Sequence, residues 1–487
     1  REIHFPKNRD LLEAAITRLK YQELFTYSLK LLMVKYNNKK NVVGLSFPWK
    51  DELRELKEKL PFSLTEAQNK AIREILRDQK SKIPMNRLLQ GDVGSGKTIV
   101  ALIAIYNVYT NGYKSAFMVP TEILAKQHYD EAKKLFEPFN VEIELLTGST
   151  KAKEKERIKN RIKEDEPVIV IGTHALIQED VEFNKLGLIV TDEQHRFGVE
   201  QRSKLINKGI KADVLVMTAT PIPRTLALYI YSDLDVSQID ELPPGRIKID
   251  TRFYGENSKN EAYKIALEEI NKGRQVYIVC PLIDEDEKEQ LNSVESVYKE
   301  LKEGIFRDIP VNILHGKMKA DEKDKIITDF KDNKVKVIIS TTVIEVGVNV
   351  PNASVMIIEN AERFGLAQLH QLRGRVGRGK YASYCLLIGN AKSNTTKKRM
   401  EIMQNSSDGF FIAEQDLKLR GSGEIFGMRQ SGEEGLLLAD LYDDIKILKC
   451  ATRDAKLILE NPEGNHKKLI IETMKSIEKS KGFLCFN

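Results

Sequence analysis

Cysteine is scarce in this chain: Cys280, Cys385, Cys450 and Cys485 stand far apart in 487 residues, with no C-x-x-C pair among them. That scarcity argues against a disulfide framework and against a thiolate zinc site, and a reducing, cytoplasmic setting is expected. Long hydrophobic runs are missing too. No segment approaches the roughly 20 apolar residues of a membrane span, and no signal peptide is visible, so no membrane partner is expected. Neither sign of charge prevails, since 77 basic against 71 acidic side chains leave a net +6. So mild an excess permits nucleic-acid binding without demanding it, because a clustered patch counts for more than the sum. The composition that is present, 41% hydrophobic and 30% charged, is ordinary for a globular protein. The length exceeds what one core supports and predicts two or three domains. Arg1 rather than Met opens the chain, so a piece of a longer protein is expected.

One stretch organises the rest. Leu88-Leu89-Gln90 ends a strand, Gly91 to Thr98 fits G-x-x-x-x-G-K-[ST], and a helix runs from Ile99 to near Asn111-Gly112. Gly91, Gly94 and Gly96 leave the backbone free to wrap a phosphate at a helix N-terminus, with Asp92 and Ser95 in the same loop. Lys97 is placed to reach the β- and γ-phosphates, and the Thr98 hydroxyl to ligate Mg²⁺. A plain glycine-rich turn before a buried helix is the competing explanation, and the strand and helix on either side weigh against it.

Upstream, residues 1–60 carry helical spacing over Arg9–Met33 and Asp51–Leu60 and read as a helical linker packed on the adjoining residues C-terminal to it. Thr65 is a predicted N-cap for a helix over Glu66–Arg77. Phe62 and Gln68 are candidate nucleotide contacts, since the donor and acceptor of a Gln amide suit an adenine edge. Downstream, the runs Ala116–Val119, Ile143–Leu146, Val168–Ile171, Leu186–Val190 and Val214–Met217 are mostly continuously apolar, as parallel strands covered on both faces should be. Helical segments alternate with them, which is an α/β pattern. Composition shifts at the candidate hinge Leu242-Pro243-Pro244-Gly245. Beyond the hinge lies a second series: Ile247–Thr251, Val276–Cys280, Val311–Leu314, Val335–Ile339, Val355–Ile358 and Cys385–Ile388. The acidic run Asp284–Glu289 reads as a solvated loop. From Ala391 onward the chain turns helical and polar, with glycine-dense Gly421–Gly435 and a final helix over Lys467–Ser480. The predicted organisation is a linker (1–60), two tandem parallel-sheet domains (61–242 and 243–390, only the first with a phosphate loop), and a helical C-terminal region (391–487).

Three constellations carry chemistry. The strand Leu188–Thr191 ends in Asp192 and Glu193, one carboxylate to hold Mg²⁺ and one to polarise an attacking water. Gln194 and His195 come next in the chain and could sense the γ-phosphate. Thr218-Ala219-Thr220 ends the next strand, where short hydroxyls can relay nucleotide state. In the second half, Gln371, Arg375 and Arg378 are the candidate catalytic residues of Gln368–Arg378. The two arginines lie three apart, hence on one face if helical, and their guanidinium forks suit phosphate oxygens. Across a cleft from the loop they would serve as arginine fingers. A nucleic-acid phosphate clamp competes with that role, most of all for Arg373.

Gly91–Thr98, Pro120-Thr121-Glu122, Asp192–His195, Thr218–Thr220, Ser340–Gly347 and Gln371–Arg378 together resemble the motor of superfamily 2 helicases, with two RecA-like domains. More narrowly, Asp192–Val199 and Gly409–Glu424 resemble the RecG family of bacterial branched-DNA translocases. The transcription-repair coupling factors share the later segment, but their box usually reads Asp-Glu-Glu-Gln, and Gln194-His195 favours RecG. The resemblance implies that Thr121, Thr173, His174, Thr341 and Thr342 line a nucleic-acid track. It implies that Glu345 and Gly347 link that track to the nucleotide. It assigns Arg399, Arg420 and Gln430 to a helical hairpin and loop that couple hydrolysis to duplex translocation. RecG proteins carry an oligonucleotide-binding wedge ahead of the motor, and nothing before residue 60 could supply five strands, so the motor portion alone is expected. The implied function is ATP- and Mg²⁺-dependent remodelling of branched DNA in repair and recombination, by a monomer, with replication or repair proteins as possible partners. A coupling-factor translocase and a nucleotide-gated DNA-binding scaffold are the alternatives.

Overall fold

Strands that are apolar from end to end have no side to give to water, so both faces must be covered. Two parallel sheets meet that demand in the computed structural model, which describes residues 2–40, 43–193, 208–209, 211–219, 234–245, 247–281, 287–316, 318–341, 350–420, 436–440 and 443–479. Gln194, His195, Thr220, Thr342, Glu345, Gly347 and Gln430 lie outside the described residues, as does the side chain of Arg420.

The first sheet contains β1 (Asn86–Gly91), β2 (Lys114–Met118), β3 (Ile143–Leu146), β4 (Ile169–Gly172), β5 (Leu186–Thr191), β6 (Asp213–Thr218) and β7 (Asp235–Ile239), in the order β3-β4-β2-β5-β6-β1-β7. The second contains β8 (Asp250–Gly255), β9 (Gln275–Val279), β10 (Val311–Leu314), β11 (Val337–Ser340), β12 (Ala353–Ile358) and β13 (Tyr384–Gly389), in the order β10-β11-β9-β12-β13-β8. All pairings are parallel. The helices are α1 (Arg9–Lys40), α2 (Asp51–Glu58), α3 (Glu66–Lys80), α4 (Lys97–Thr110), α5 (Glu122–Phe136), α6 (Ala152–Lys163), α7 (Lys259–Asn271), α8 (Glu287–Glu303) and α9 (Ala320–Lys331). They continue as α10 (Leu366–Arg373), α11 (Asn394–Asn405), α12 (Gly409–Arg420), α13 (Ile445–Glu460) and α14 (Asn465–Lys479). The two-sheet α/β architecture read from the sequence is the observed one.

The period of two along each strand splits the first core into two layers. Leu89, Phe117, Ile171, Val190 and Leu215 pack with residues of α3, α4 and α5. Their neighbours Leu88, Ala116, Val170, Ile189 and Val214 face the opposite side. Fully burying such side chains contributes about 1.5–3 kcal/mol each, which fixes the register because a one-residue slip would exchange the layers.

A buried acid holds the start of this sheet. Asp213, 1% exposed, accepts a hydrogen bond from the Met85 N–H at 2.7 Å through Oδ1. Burial pushes its carboxyl up to about 8, with nearby Asp78 adding to the rise and the Met85 N–H opposing it. The unfolded chain releases this proton near pH 4, so between about pH 4 and 8 the folded state binds more protons and stability falls as pH rises. Asp213→Asn keeps the acceptor and removes the charge. Thermal melts should show the variant gaining on the native chain at pH 8 relative to pH 5, by an amount on the order of a few kcal/mol. Equal differences at both pH values would mean that Asp213 stays ionised in the fold.

Three elements depart from the sequence reading. The N-terminal helix was expected on the adjoining residues C-terminal to it, yet α1 docks on the far end of the chain. Lys20 reaches Asp444 at 2.9 Å, the Tyr21 hydroxyl donates to Asp454 at 2.7 Å, and Leu24 and Leu29 pack with Leu448 and Ala455 respectively. The later part of residues 1–60 does join the first core, through Phe47 and through Leu56 of α2. In the acidic run, Glu287–Glu289 begin α8 instead of a loop. Finally, α10 stops at Arg373, so Arg375 and Arg378 share no helical face. The chain winds on through Arg375 N–H to Leu372 O (3.0 Å) and Val376 N–H to Arg373 O (3.3 Å), and Gly377 then turns it with a φ of +75°.

Candidate active site

Ligands in open α/β sheets bind beyond the carboxyl ends of the strands, and here the loops after β1, β5 and β6 open on one cleft. Its volume is about 500 Å³. Gly94, Gly96, Lys97, Thr98, Asp192 and Glu193 line it from the first sheet, and Arg375, Gly377 and Arg378 from the second. The hinge residues Pro243, Pro244 and Gly245 line it too, as do His128 and Glu131 of α5.

The phosphate loop is held from behind. Thr65 caps α3 through a reciprocal pair: its Oγ1 accepts from Gln68 N–H at 3.2 Å, and Gln68 Oε1 accepts from Thr65 N–H at 2.9 Å. Gln68 Nε2 then donates to Ser95 O at 2.8 Å. Gly96 has a φ of +84°, and a Cβ there would lie 2.3 Å from Gln68 Nε2, so only glycine fits. With Gly94 also at +78°, the loop is a cradle of bare backbone that suits a phosphate. Gln68 thus supports the loop, while Phe62 is 51% exposed, and neither lines the cleft. Gly91, Asp92, Ser95 and the buried Gln371 also lie off its walls.

Lys97 donates to Gly91 O at 2.7 Å and Asp92 O at 3.0 Å. Burial pushes its ammonium below the ordinary lysine range, countered by the carboxylates of Glu193, Asp192 and Asp92; Arg375 from the second sheet adds to the lowering. Glu193 takes a left-handed φ of +53°, a strained conformation for a side chain of its kind, and its N–H donates to Asp192 Oδ1 at 3.0 Å. Thr98 and Asp192 offer hard oxygen donors of the kind Mg²⁺ takes from one or two side chains.

A histidine that the sequence reading passed over sits beneath Asp192. His128 of α5 stacks on Phe117 and lies 3.5 Å from Asp192 Oδ2 and 3.6 Å from Glu131 Oε2. Burial alone would lower its pKa, but the two carboxylates hold it up at about 9. Burial would raise Glu131, yet His128, and more weakly Arg378 across the cleft, keep it below the usual range. A lone His on a helix gives no signal of this in sequence; only the i, i+3 carboxylate at Glu131 hints at it.

The residues assigned to a nucleic-acid track divide. Thr121 caps α5, its Oγ1 accepting from Leu124 N–H at 3.4 Å, and His174 is exposed. Thr173 and Thr341 are buried, so their side chains have no surface to offer a strand. Arg399 anchors α11 by donating to Phe364 O at 2.7 Å and Glu362 O at 3.0 Å. The second helix of the hairpin also grips α10, where the Leu366 N–H donates to Asp416 Oδ1 at 3.3 Å.

Known proteins share this fold. A DEAD/DEAH box helicase model matches residues 65–228, and a helicase conserved C-terminal domain model matches residues 258–380. Residues 406–481 match a model described as ATP-dependent DNA helicase RecG, domain 3, C-terminal. A curated ATP-dependent DNA helicase RecG from Streptococcus pneumoniae is 51% identical over 459 residues, covering 94% of this chain and 68% of that protein. The chain belongs to the RecG family. A Synechocystis RecG is 48% identical over 99% of the chain, which spans only 58% of that relative's length. A structure of RecG bound to a three-way DNA junction aligns with a TM-score of 0.76 at 46% identity, covering 92% of this chain and 59% of that one. More distant is Mss116p bound to single-stranded RNA and AMP-PNP, at 18% identity and a TM-score of 0.57, covering 84% of this chain and 85% of that one; it shares the fold. In this chain the cleft between the sheets and the α11–α12 hairpin are the two features that a function must join. Among the described residues no helix is long and apolar enough to cross a membrane.

Proposed function

We propose that this chain is the motor of an ATP-dependent DNA translocase that moves on duplex DNA and remodels branched DNA. The observation that carries the reading is a single cleft walled by Lys97 and Glu193 on one sheet and by Arg375 and Arg378 on the other. A triphosphate seated there draws the sheets together, and its hydrolysis releases them. The cradle at Gly94–Thr98 binds the phosphates through backbone N–H groups, and Lys97 exchanges its loop carbonyls for phosphate oxygens. Thr98 and Asp192 are the residues to hold Mg²⁺, which when bound neutralises phosphate charge. Glu193 orients water and accepts its proton. Exposed Phe62 is left to contact the base, since both ends of the Gln68 amide already serve Thr65 and Ser95. Arg375 and Arg378 stabilise the charge that develops on the transferred group.

Motion on DNA requires closure of the cleft to shift something outside it. The hairpin fits that part, because Arg399, Asp416 and Arg373 fasten it to α10 and the turn beside it. Branched DNA as the substrate is inferred from RecG relatives, one of them seen on a three-way junction. Replacing Arg399 with alanine should leave much of the DNA-stimulated ATPase while lowering displacement of a triplex-forming strand by about 5- to 150-fold, the range of typical coupling energies. Full displacement by that variant would leave the hairpin without a motor role.

A further inference from the structure

The loop that carries Lys97 also carries Asp92, whose carboxylate serves no wall of the cleft. It reaches toward the second sheet instead, where Oδ1 lies 2.6 Å from His370 Nε2 on α10. His370 is 5% exposed, and its other ring nitrogen, Nδ1, lies 2.8 Å from an Arg373 guanidinium nitrogen. A guanidinium has only donors and keeps its protons, so Nδ1 must offer a lone pair. The ring proton is therefore on Nε2, which donates to Asp92. One tautomer, neutral, satisfies both neighbours.

Arg373 carries the connection onward. Its other terminal nitrogen donates to Met403 O at 2.8 Å and Ser406 O at 2.7 Å, near and just past the end of α11. Gly409, which opens α12, closes over the same point: a Cβ there would lie 2.7 Å from His370 Nε2 and 2.9 Å from Asp92 Oδ2. Beside it, a Cβ on Gly374 would lie 2.8 Å from Val93 Cβ. Two glycines thus let the phosphate loop, α10 and the hairpin turn meet without an intervening side chain.

We propose that Asp92, His370, Arg373 and the Ser406 carbonyl form the link through which the phosphate loop sets the position of the hairpin, with His370 as its positioning residue. This deepens the translocase reading and rests on it. The same Lys97 ammonium that would bind phosphate donates to Asp92 O at 3.0 Å. A triphosphate competes for that hydrogen bond and so re-aims the residue that holds His370. The link is discrete, because a hydrogen-bonded imidazole between a carboxylate and a guanidinium is either made or broken. Neither His370 nor Arg373 lines the cleft, so hydrolysis can proceed when the link is cut.

Three substitutions test it in the full chain. His370→Asn keeps an acceptor for Arg373 and loses Asp92; His370→Gln reaches Asp92 with an amide N–H and loses Arg373; Gly409→Ala inserts a methyl between them. Each should hold DNA-stimulated ATPase within about threefold while triplex strands displaced per ATP fall about tenfold or more, inside the usual range for coupling between sites. Hydrogen exchange over residues 394–420 should respond to a non-hydrolysable ATP analogue in the native chain and not in the variants. Displacement that falls only in step with ATPase would make His370 part of hydrolysis or a mere tie between the sheets. Unchanged displacement per ATP with unchanged exchange would overturn the link outright. A native chain that shows no DNA-stimulated ATPase contradicts the translocase reading instead, and the exchange comparison, which needs no DNA, still decides the link.

Discussion

Arg375→Ala and Arg378→Ala should each lower ATP turnover by on the order of 10³-fold or more, with duplex DNA binding in the absence of nucleotide nearly unchanged. Both side chains line the cleft that holds Lys97, and Arg375 is buried there. Its charge bears on Lys97, and that of Arg378 on Glu131, which ties the second sheet electrostatically to the first. A guanidinium so placed is positioned to stabilise charge at a transferred phosphoryl group, and alanine offers nothing in its stead. Paired measurement of steady-state turnover and DNA affinity separates the two possible roles. DNA affinity that fell in step with turnover would make these arginines clamps on the DNA backbone.

The second large effect belongs to Glu193. Glu193→Gln keeps the size and the hydrogen-bonding reach of the side chain but removes the base. Turnover should drop by about 10²–10⁴-fold, the usual contribution of a positioned base, with ATP affinity retained. The backbone supports this assignment: a left-handed φ of +53° at a non-glycine residue is costly, and such strain clusters at sites where it directs a side chain. Turnover near normal in the variant, with intact ATP binding by equilibrium titration, would assign water activation to another group.

Much of this fold was legible because parallel strands buried on both faces announce themselves as unbroken apolar runs. Val168–Ile171 and Val355–Ile358 fell inside or within one residue of the observed strands for that reason. Two of the four edge strands hid. β7, Asp-Val-Ser-Gln-Ile, was missed, and β8 was read as Ile247–Thr251 instead of Asp250–Gly255, because both mix polar with apolar residues, whereas the edge strands β3 and β10 carry enough apolar residues to be read with their observed bounds. The phosphate loop was readable because its glycines answer a local demand of the backbone. The helical face drawn through Arg375 and Arg378 was not, since Gly374 and Gly377 release the chain from α10 before either arginine. His128 and His370 show the harder case. Each owes its role to partners far away in sequence, Asp192 for one and Asp92 for the other, and no spacing rule reaches across 64 or 278 positions. The docking of α1 on α13 escaped notice on the same ground, because helical periodicity reveals an apolar face without naming what covers it.

Motor action stands or falls on whether DNA governs the hydrolysis cycle. The most direct measurement is the steady-state ATPase rate of the chain alone, with linear duplex DNA, and with a forked duplex, at one salt concentration. A slow rate without DNA that rises several-fold or more with duplex, and at least as far with the fork, is the expected result. A rate indifferent to DNA, in a chain that binds both ATP and duplex, would contradict it.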